Sequence, residues 1–315
     1  MKPYFFQNGI RKLAQEISGE ENIYLGIRPY GFHAGNMLPF VLYPILLGQE
    51  LKKLGKEPQF NIFIFINDWE QDGLAGPDVK KYPFNIFPKN TTFQYVFDPE
   101  NKGVSIVDLW EPIIVENVKR IQSFFPMVKI KSVRNSELKN NPIMKKHLLF
   151  TIRNPQVVAG VLRKYSNKQV LNSPLCYAMA VCPKCFKVKG ESFVNNEKIT
   201  HLCKNCGAKT TGGYSDFDYW FYHKPLALPR LEIFNIDICI TGSDHYNEGD
   251  FIVRQELIKK YSSKAKSPKT LYTQVVLGRD GDIMGKSGGN AETMEVDDLL
   301  RLFNKYPNEK TIKIG

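Results

Sequence analysis

Residues 23–36, IYLGIRPYGFHAGN, pass from a short apolar run into a turn rich in glycine and aromatic residues. The run at 23–27 is typical of a buried strand. Residues 37–53 are apolar at first and polar later, which predicts a helix packed on a sheet. His33 to Asn36 would then lie at a helix N-terminus directly beyond a strand, where a phosphate group can approach the backbone. An imidazole and a carboxamide can donate to phosphate there, although an incidental turn before a helix would look the same.

Strand-like and helix-like stretches alternate through the rest of the chain, which predicts an α/β fold with a parallel sheet. The run 60–66, FNIFIFI, fits a central parallel strand. The other predicted strands are 94–98, 232–242 (ending in a loop) and 271–277. The other predicted helices are 111–125, 139–165 with an interruption near Asn154-Pro155, 251–261 and 296–304. The simplest architecture is one α/β domain whose two halves flank an insertion.

Composition excludes several classes of protein. The 315 residues carry 43 Lys+Arg and 32 Asp+Glu, a net charge of +11, and 43% are hydrophobic, which excludes a disordered chain. The longest apolar run, 38–47, is interrupted by prolines and is shorter than the roughly 18 residues of a membrane span. The N-terminus resembles no secretion signal, so we expect a soluble, cytoplasmic protein without a membrane partner. The basic excess admits nucleic acid or an anionic substrate, but the lysines are scattered, as on a solvated surface.

Four of the six cysteines form two C-x-x-C pairs, Cys182/Cys185 and Cys203/Cys206, separated by 17 residues. Each pair places two thiolates on one tight turn, and two pairs complete a tetrahedral site. This spacing predicts a structural Zn²⁺ without an open coordination position. A redox pair or unrelated buried thiols would have to explain two correctly spaced pairs. His201 is a stray ligand candidate that we expect to be a surface residue instead.

Two further short motifs have chemical interest. Thr241-Gly242-Ser243-Asp244-His245 follows a predicted strand, at the sheet edge where ligands bind; Gly242 allows a ribose to approach, and Asp244 can accept from its hydroxyls. Lys286, in the glycine-flanked stretch 283–290, could neutralise charge developing on a pyrophosphate leaving group. Alone, this second motif is equally compatible with a flexible surface loop.

Together these motifs resemble the catalytic domain of class I aminoacyl-tRNA synthetases. His33-Ala34-Gly35-Asn36 resembles the HIGH signature, and Met284-Gly285-Lys286-Ser287 with Gly289-Asn290 resembles KMSKS and its tail. Within that class the resemblance is closest to the class I lysyl-tRNA synthetases. It extends over about residues 20–300 and includes FINDWEQDG (65–73), the connective segment 133–166, the cysteine segment and NIDICITGSDH.

The resemblance implies a Rossmann-like sheet and ATP-dependent activation of an amino acid, with Mg²⁺ accompanying ATP. It implies that His33, Gly35 and Asn36 hold the phosphates, Lys286 and Ser287 stabilise the transition state, and Gly242 and Asp244 hold the ribose. His245 would lie near the nucleotide and the amino-acid pocket. Lysine is the favoured amino acid, and its side chain would need a carboxylate or an aromatic wall. The candidates for that wall are Asp216, Asp218, Tyr219 and Trp220.

The sequence also departs from the family pattern. Asn36 replaces the second histidine of HIGH, and Ile283 and Gly285 replace a lysine and a serine of KMSKS. Because the chain ends 25 residues after Asn290, we expect no C-terminal anticodon-binding domain. The expected division is a first catalytic half (1–175) with the connective helices, a zinc-binding insertion (176–222) and a second catalytic half (223–315).

Three functions are therefore open. The first is an amino-acid-activating enzyme with tRNA or another molecule as acceptor. The second is a non-catalytic tRNA-binding, RNA-binding or regulatory paralogue, which the altered KMSKS motif and the basic balance favour. The third is another nucleotidyl transferase of the same superfamily, against which the insertion and the wide separation of the motifs count.

Overall fold

The computed structural model of the protein describes residues 2–71, 88–98, 103–166, 177–284 and 294–314. The strands in these ranges are β1 (Tyr4–Phe5), β2 (Asn22–Ile27), β3 (Asn61–Ile66), β4 (Lys129–Arg134), β5 (Ala178–Ala180), β6 (Gly190–Asn195), β7 (Lys198–Cys203), β8 (Lys209–Gly212), β9 (Tyr219–Phe221), β10 (Ile238–Gly242), β11 (Lys269–Thr273), β12 (Val275–Leu277) and β13 (Thr311–Lys313). The helices are α1 (Phe6–Glu16), α2 (Ala34–Met37), α3 (Tyr43–Lys53), α4 (Ile106–Lys119), α5 (Ile121–Phe124), α6 (Pro142–Arg153), α7 (Pro155–Tyr165), α8 (His223–Ile233), α9 (Ser243–Asn247), α10 (Asp250–Lys260) and α11 (Val296–Lys305).

The largest sheet has six parallel strands in the order β1-β11-β10-β2-β3-β4. From β2 the chain proceeds to β3 and β4 on one side, whereas from β10 it proceeds to β11 on the other. The strand order therefore reverses between β2 and β10, which pair through Ile23 and Tyr24. In open α/β sheets this reversal leaves a crevice at the carboxyl ends of the two strands, where ligands bind. The predicted α/β parallel sheet is confirmed.

Both faces of this sheet are covered, as its central strands require. Ile62 and Ile64 of β3 pack in one apolar cluster with side chains of α1 and α3. Phe65, on the opposite face of the same strand, packs in a second cluster with side chains of α6 and α8. The alternation of side chains along a strand explains why an almost wholly apolar run was needed at 60–66.

The predicted helix after the first strand is present in three continuous parts. A wide π turn, Leu38–Leu42, joins α2 to α3 and contains Pro39. Because proline lacks an N–H and its ring crowds the preceding turn, a widened turn accommodates it without ending the helix. The helical segment 34–53 thus begins directly after His33. His33 therefore lies at the N-terminus of this segment, at the edge of the sheet.

Several predicted elements have different boundaries, and one is wrong. Residues 94–98 form no strand, because Phe93–Tyr95 make a short 3₁₀ turn whose Phe93 ring packs on Tyr30, with ring centroids 5.2 Å apart. The predicted strand from Glu232 begins only at Ile238, since α8 continues to Ile233 and the chain turns at Asn235, where φ is 45°. Asparagine tolerates that left-handed conformation, which ends the helix.

The predicted strand 271–277 consists of two strands that belong to different sheets, β11 and β12. They separate at Gln274, whose side-chain oxygen accepts a hydrogen bond of 2.7 Å from the Tyr43 hydroxyl. The predicted helix 111–125 begins earlier, at Ile106, because the Ser105 hydroxyl caps it by accepting from Asp108 N at 3.1 Å. The break between α6 and α7 at Asn154-Pro155 lies where it was predicted.

The cysteine-bearing segment contains two small antiparallel sheets, β5-β9 and β6-β7-β8. Its strands pair with one another and not with the parallel sheet. Within the described residues, no helix combines the length and the apolar character needed to span a membrane.

Candidate active site

A cleft of about 530 Å³ opens where the carboxyl ends of β2, β3 and β10 meet. The segments that follow these strands line it, together with one side of α8 and of α10. The residues predicted to bind the nucleotide lie on its walls: His33, Gly35, Asn36, Gly242, Asp244 and His245. Two motifs that are about 200 residues apart in the sequence, HAGN and GSDH, thus border one cavity.

His33 caps the helical segment that begins at Ala34. Its Nδ1 accepts a hydrogen bond of 3.1 Å from Gly35 N, and the Asn36 side-chain oxygen accepts from His33 N at 3.4 Å. Because Nδ1 accepts, a neutral His33 carries its proton on Nε2. The cap therefore selects the tautomer that presents an N–H donor from the far side of the ring.

Gly35 lets the His33 ring lie against the helix. A Cβ atom at this position would lie 2.9 Å from His33 Cε1 and 3.7 Å from the carbonyl oxygen of Met284. Met284 is in turn held by its N–H, which donates to Val276 O at 2.7 Å. The beginning of the second signature is therefore next to the first. Lys286 and Ser287 lie outside the described residues.

Gly242, Asp244 and His245 lie at the carboxyl end of β10 and in α9. A Cβ at Gly242 would lie 2.3 Å from an oxygen of Asp244, so the carboxylate occupies the space that glycine leaves. The His245 side chain is 43% exposed and its Nδ1 lies 3.6 Å from a Glu248 oxygen. Desolvation in the cleft lowers the pKa of His245, but the carboxylates of Glu248, Asp244 and Asp250 outweigh it and raise the pKa above its usual value.

A buried charge cluster, which the sequence reasoning missed, lines the same side of the cleft. Lys224 Nζ contacts an Asp250 oxygen and lies 3.9 Å from Glu248, and Arg254 donates to the other Asp250 oxygen at 3.2 Å. Burial alone would raise the pKa of Asp250, yet the two cations hold it well below its usual value. The signal in the sequence was the spacing of Asp250 and Arg254, which are four residues apart on one helix.

Residues after β3 form the opposite wall. The Glu70 side chain, 7% exposed, accepts from Arg28 Nε at 3.0 Å, and Asn67 accepts from the buried Arg230 at 2.7 Å. Arg230 also donates to the Tyr24 hydroxyl at 2.7 Å, so it joins this wall to β2. The family resemblance includes residues 65–73 but implied no role for Glu70 or Arg28.

The four residues proposed for an amino-acid side-chain pocket lie away from the cleft. The two acids already accept hydrogen bonds from other groups, and the two aromatic side chains are buried. Asp216 accepts from Gly213 N at 2.7 Å, and Asp218 accepts from Lys139 Nζ at 3.0 Å and from the Tyr95 hydroxyl. Tyr219 and Trp220 are buried in β9, which pairs with β5. None of these four occurs among the described residues that line the cleft.

The four paired cysteines converge, with all their sulfur atoms within 4.8 Å of one another. The Cys182–Cys206 and Cys185–Cys203 sulfur distances are 3.7 and 3.6 Å. A tetrahedral zinc–thiolate site with metal–sulfur distances of about 2.3 Å has sulfur–sulfur edges of about 3.8 Å, so these residues fit zinc.

His201, expected at the surface, is fully buried in β7, and its Nδ1 lies 3.0 Å from the Ser192 hydroxyl. That expectation is wrong because residues of β7 alternate between its two faces, and His201 shares the inward face with Ile199 and Cys203. The four-cysteine cluster does not include it.

Comparison with known proteins gives a family match. The model of the family described as "tRNA synthetases class I (K)" matches residues 10–306. No curated protein matches the sequence at a significant level.

Comparison with solved structures gives three synthetases among its matches. The tyrosyl-tRNA synthetase of Archaeoglobus fulgidus with L-tyrosine shows 14% identity and a TM-score of 0.42, over 90% of this chain and 64% of that one. The tyrosyl-tRNA synthetase of Leishmania major with fisetin shows 12% identity and a TM-score of 0.47, over 92% and 38%. The arginyl-tRNA synthetase of Plasmodium falciparum shows 14% identity and a TM-score of 0.33, over 86% and 45%. The chain thus spans less than two thirds of the length of each.

Proposed function

We propose, since this chain belongs to the class I tRNA synthetase family, that it activates an amino acid with ATP and transfers it to tRNA or to another acceptor. The observation that carries the proposal is the convergence of HAGN and GSDH on one cleft at the strand-order reversal, with Met284 beside Gly35. A nucleotide held across β2 and β10 would have its ribose at Gly242 and Asp244 and its phosphates at the helix beyond His33.

In the proposed reaction, a carboxylate oxygen of the amino acid attacks the α-phosphorus of ATP. The bond from that phosphorus to the bridging oxygen breaks, and pyrophosphate leaves with the electron pair. The chain needs no nucleophile of its own, because catalysis depends on in-line positioning and on stabilising charge. Mg²⁺ bound to ATP would neutralise part of the phosphate charge.

Residues of this chain would bind the phosphates, stabilise the departing pyrophosphate and hold the structural metal. His33 Nε2–H and Asn36 would donate to phosphate oxygens from the helix N-terminus. Lys286 and Ser287 would stabilise charge on the departing pyrophosphate. The position of Met284, two residues before Lys286 in the sequence and with its carbonyl oxygen beside Gly35, supports this role. The cysteine cluster would hold a structural Zn²⁺ that stabilises β6, β7 and β8 and takes no part in the chemistry, because four thiolates complete its coordination.

Lysine is the amino acid we propose. The resemblance of HAGN, the cysteine segment and GSDH to class I lysyl-tRNA synthetases supports it, as does the letter K in the description of the matching family. The tyrosyl- and arginyl-tRNA synthetases of the structural comparison, at 12–14% identity, do not bear on this choice.

The test is the exchange of radiolabelled pyrophosphate into ATP with each of the standard amino acids in turn. We expect exchange that depends on lysine. Exchange that depends on a different amino acid would reject lysine and keep the activation chemistry. No exchange with any of them would reject activation.

A non-catalytic RNA-binding paralogue is the second candidate, favoured by Ile283 and Gly285 in place of signature residues and by the net charge of +11. It predicts tight tRNA binding without ATP binding. Calorimetric titration with ATP separates the two candidates, because the enzyme must bind ATP.

A further inference from the structure

Glu70 presents a buried carboxylate oxygen to the cleft. Its Oε2 accepts from Arg28, but within the described part of the chain its Oε1 has no hydrogen-bond partner. The backbone holds the residue in place on both sides, because Glu70 N donates to Asn67 O at 3.2 Å and Phe93 N donates to Glu70 O at 2.9 Å. A carboxylate oxygen that is buried without a donor is costly, so this position is suited to a donor brought by a ligand.

The other charged groups near this wall do not supply that donor. Lys224 and Arg254 both contact Asp250 across the cleft. Glu248, the other glutamate of the lining, lies beside His245 and Lys224. A cation that enters beside Glu70 would therefore meet a carboxylate oxygen to which no group in the described part of the chain donates.

The position of Glu70 relative to the sheet indicates which part of a substrate it meets. The proposed ribose and phosphate sites follow β10 and β2, and Glu70 follows β3, the next strand, about 4.8 Å further along the sheet. An amino acid whose carboxylate meets the α-phosphate has its α-amino group close to the phosphates and only its side chain further away. Ala227, Leu231 and Cys239, which also line the cleft, provide apolar contacts for methylene groups.

We infer that Glu70 binds the side-chain ammonium group of the amino-acid substrate through Oε1 and so sets a preference for a cationic, aliphatic side chain. An ammonium group is a point charge, for which one oxygen suffices. A guanidinium group is best bound by two oxygens in parallel, and Arg28 already occupies Oε2. The inference deepens the proposed function, on which it rests.

The test combines pyrophosphate exchange with calorimetric titration of amino acids in the absence of ATP, on the full chain. The substrates are L-lysine, L-norleucine, which has a similar side chain without the ammonium group, and L-homolysine, which is longer by one methylene. The variants are Glu70→Gln and Glu70→Asp. The matched control is Glu111→Gln, because Glu111 also accepts from an arginine Nε, that of Arg134 at 2.6 Å, but does not line the cleft.

We expect Glu70→Gln to raise the KM for lysine about 10- to 100-fold, the effect of losing one charged hydrogen bond, and to leave the KM for norleucine unchanged. Glu70→Asp withdraws the carboxylate by one methylene, so it should lower the KM for homolysine relative to lysine. Glu111→Gln should change neither the KM for lysine relative to norleucine nor the KM for homolysine relative to lysine. A merely structural role of Glu70 would not produce this dependence on chain length.

Three results would overturn the inference. One is an equal rise of the KM for lysine and norleucine in Glu70→Gln; another is a wild-type preference for norleucine over lysine. If no amino acid supports exchange, the proposed function fails, and the titration decides alone. Lysine binding that is lost in Glu70→Gln and kept in Glu111→Gln would still support the inference, whereas no lysine binding by the wild type would overturn it.

Discussion

His33 and Gly35 are linked by a hydrogen bond of 3.1 Å from the Gly35 N–H to Nδ1 of the imidazole. The same two residues are so close that the ring fills the space a Gly35 side chain would need. The signature thus specifies a ring position and a tautomer in addition to two polar side chains. Its glycine is required by the neighbouring histidine, because the backbone there is an ordinary helix.

Gly35→Ala tests this relationship. The new methyl group would lie 2.9 Å from His33 Cε1, so the imidazole must move and the cap is lost. We expect pyrophosphate exchange to fall by about 100-fold, the usual effect of displacing a catalytic group by about 1 Å. The free energy of unfolding, measured in urea, should fall by no more than about 1 kcal/mol, the value of one cap.

Gly160→Ala is the control for that change, because Gly160 lies in α7 and a Cβ there would meet nothing within 4 Å. It should stabilise the protein by roughly 0.5–1 kcal/mol and leave exchange unchanged. Full activity in Gly35→Ala would contradict the role proposed for the His33 ring.

Lys286→Ala tests the second signature. If Lys286 stabilises the departing pyrophosphate, kcat for exchange should fall by about 100- to 1000-fold, while the Kd for the amino acid changes little. Lys305→Ala, at the exposed end of α11, is the control. Wild-type kcat in Lys286→Ala would reject the role proposed for this lysine.

Metal content tests the cysteine cluster. We expect about one zinc ion per chain by atomic absorption, and a lower Tm after removal by a chelator, because metal binding at such a site contributes directly to folding. Cys203→Ser should lose the zinc. Cys239→Ala should keep it, since Cys239 lies in β10 and outside the cluster. Protein purified without chelators that contains no metal would refute the site.

Asp68 gives a pH dependence of stability. Burial raises its pKa from 3.8 to about 6, although the N–H groups of Ser136 and Asn135 oppose the rise. Because the folded state holds this proton more tightly than the unfolded chain, the stabilisation is fully present below about pH 4 and is lost as the pH rises through about 6. The free energy of unfolding of the wild type minus that of Asp68→Asn should therefore decrease over this range, by at most about 3 kcal/mol.

Asp108→Asn provides a control of opposite sign. Hydrogen bonds from Ser105 and Arg134 lower the pKa of Asp108, so its contribution is present above the unfolded pKa and is lost as the pH falls. The free energy of unfolding of the wild type minus that of Asp108→Asn should decrease as the pH falls. A difference for Asp68→Asn that does not change with pH would show that Asp68 keeps an ordinary pKa.

Much of the fold could be predicted because its signals are local. Apolar runs of the right length identified β2 and β3, and the late polar residues of 37–53 identified the helix beyond His33. The errors arose where tertiary contacts override local pattern. Phe93 turns inward against Tyr30 and removes the predicted strand at 94–98, and the bond between Gln274 and Tyr43 marks the point at which 271–277 divides between two sheets.

The residues of the site also fall into two groups, those recognisable from the sequence and those brought together only by the fold. HAGN, GSDH and the C-x-x-C pairs are recognisable from the sequence because each places its groups on one short turn. Glu70 and Arg28 are 42 residues apart and are brought together by the pairing of β2 with β3. Asp218, an equally plausible acid in the sequence, is neutralised by Lys139, which local pattern could not reveal.

By itself, the sequence determined the family, the α/β class and the residues that a helix N-terminus or a metal site requires, because these depend on spacing within a few residues. Only the tertiary structure decided which strands are neighbours, and hence which acids and cations face the cleft and which cancel one another. The physical reason is that a charge acts through space over a few ångströms. The residues within that distance are set by strand order and packing, whatever their separation along the chain.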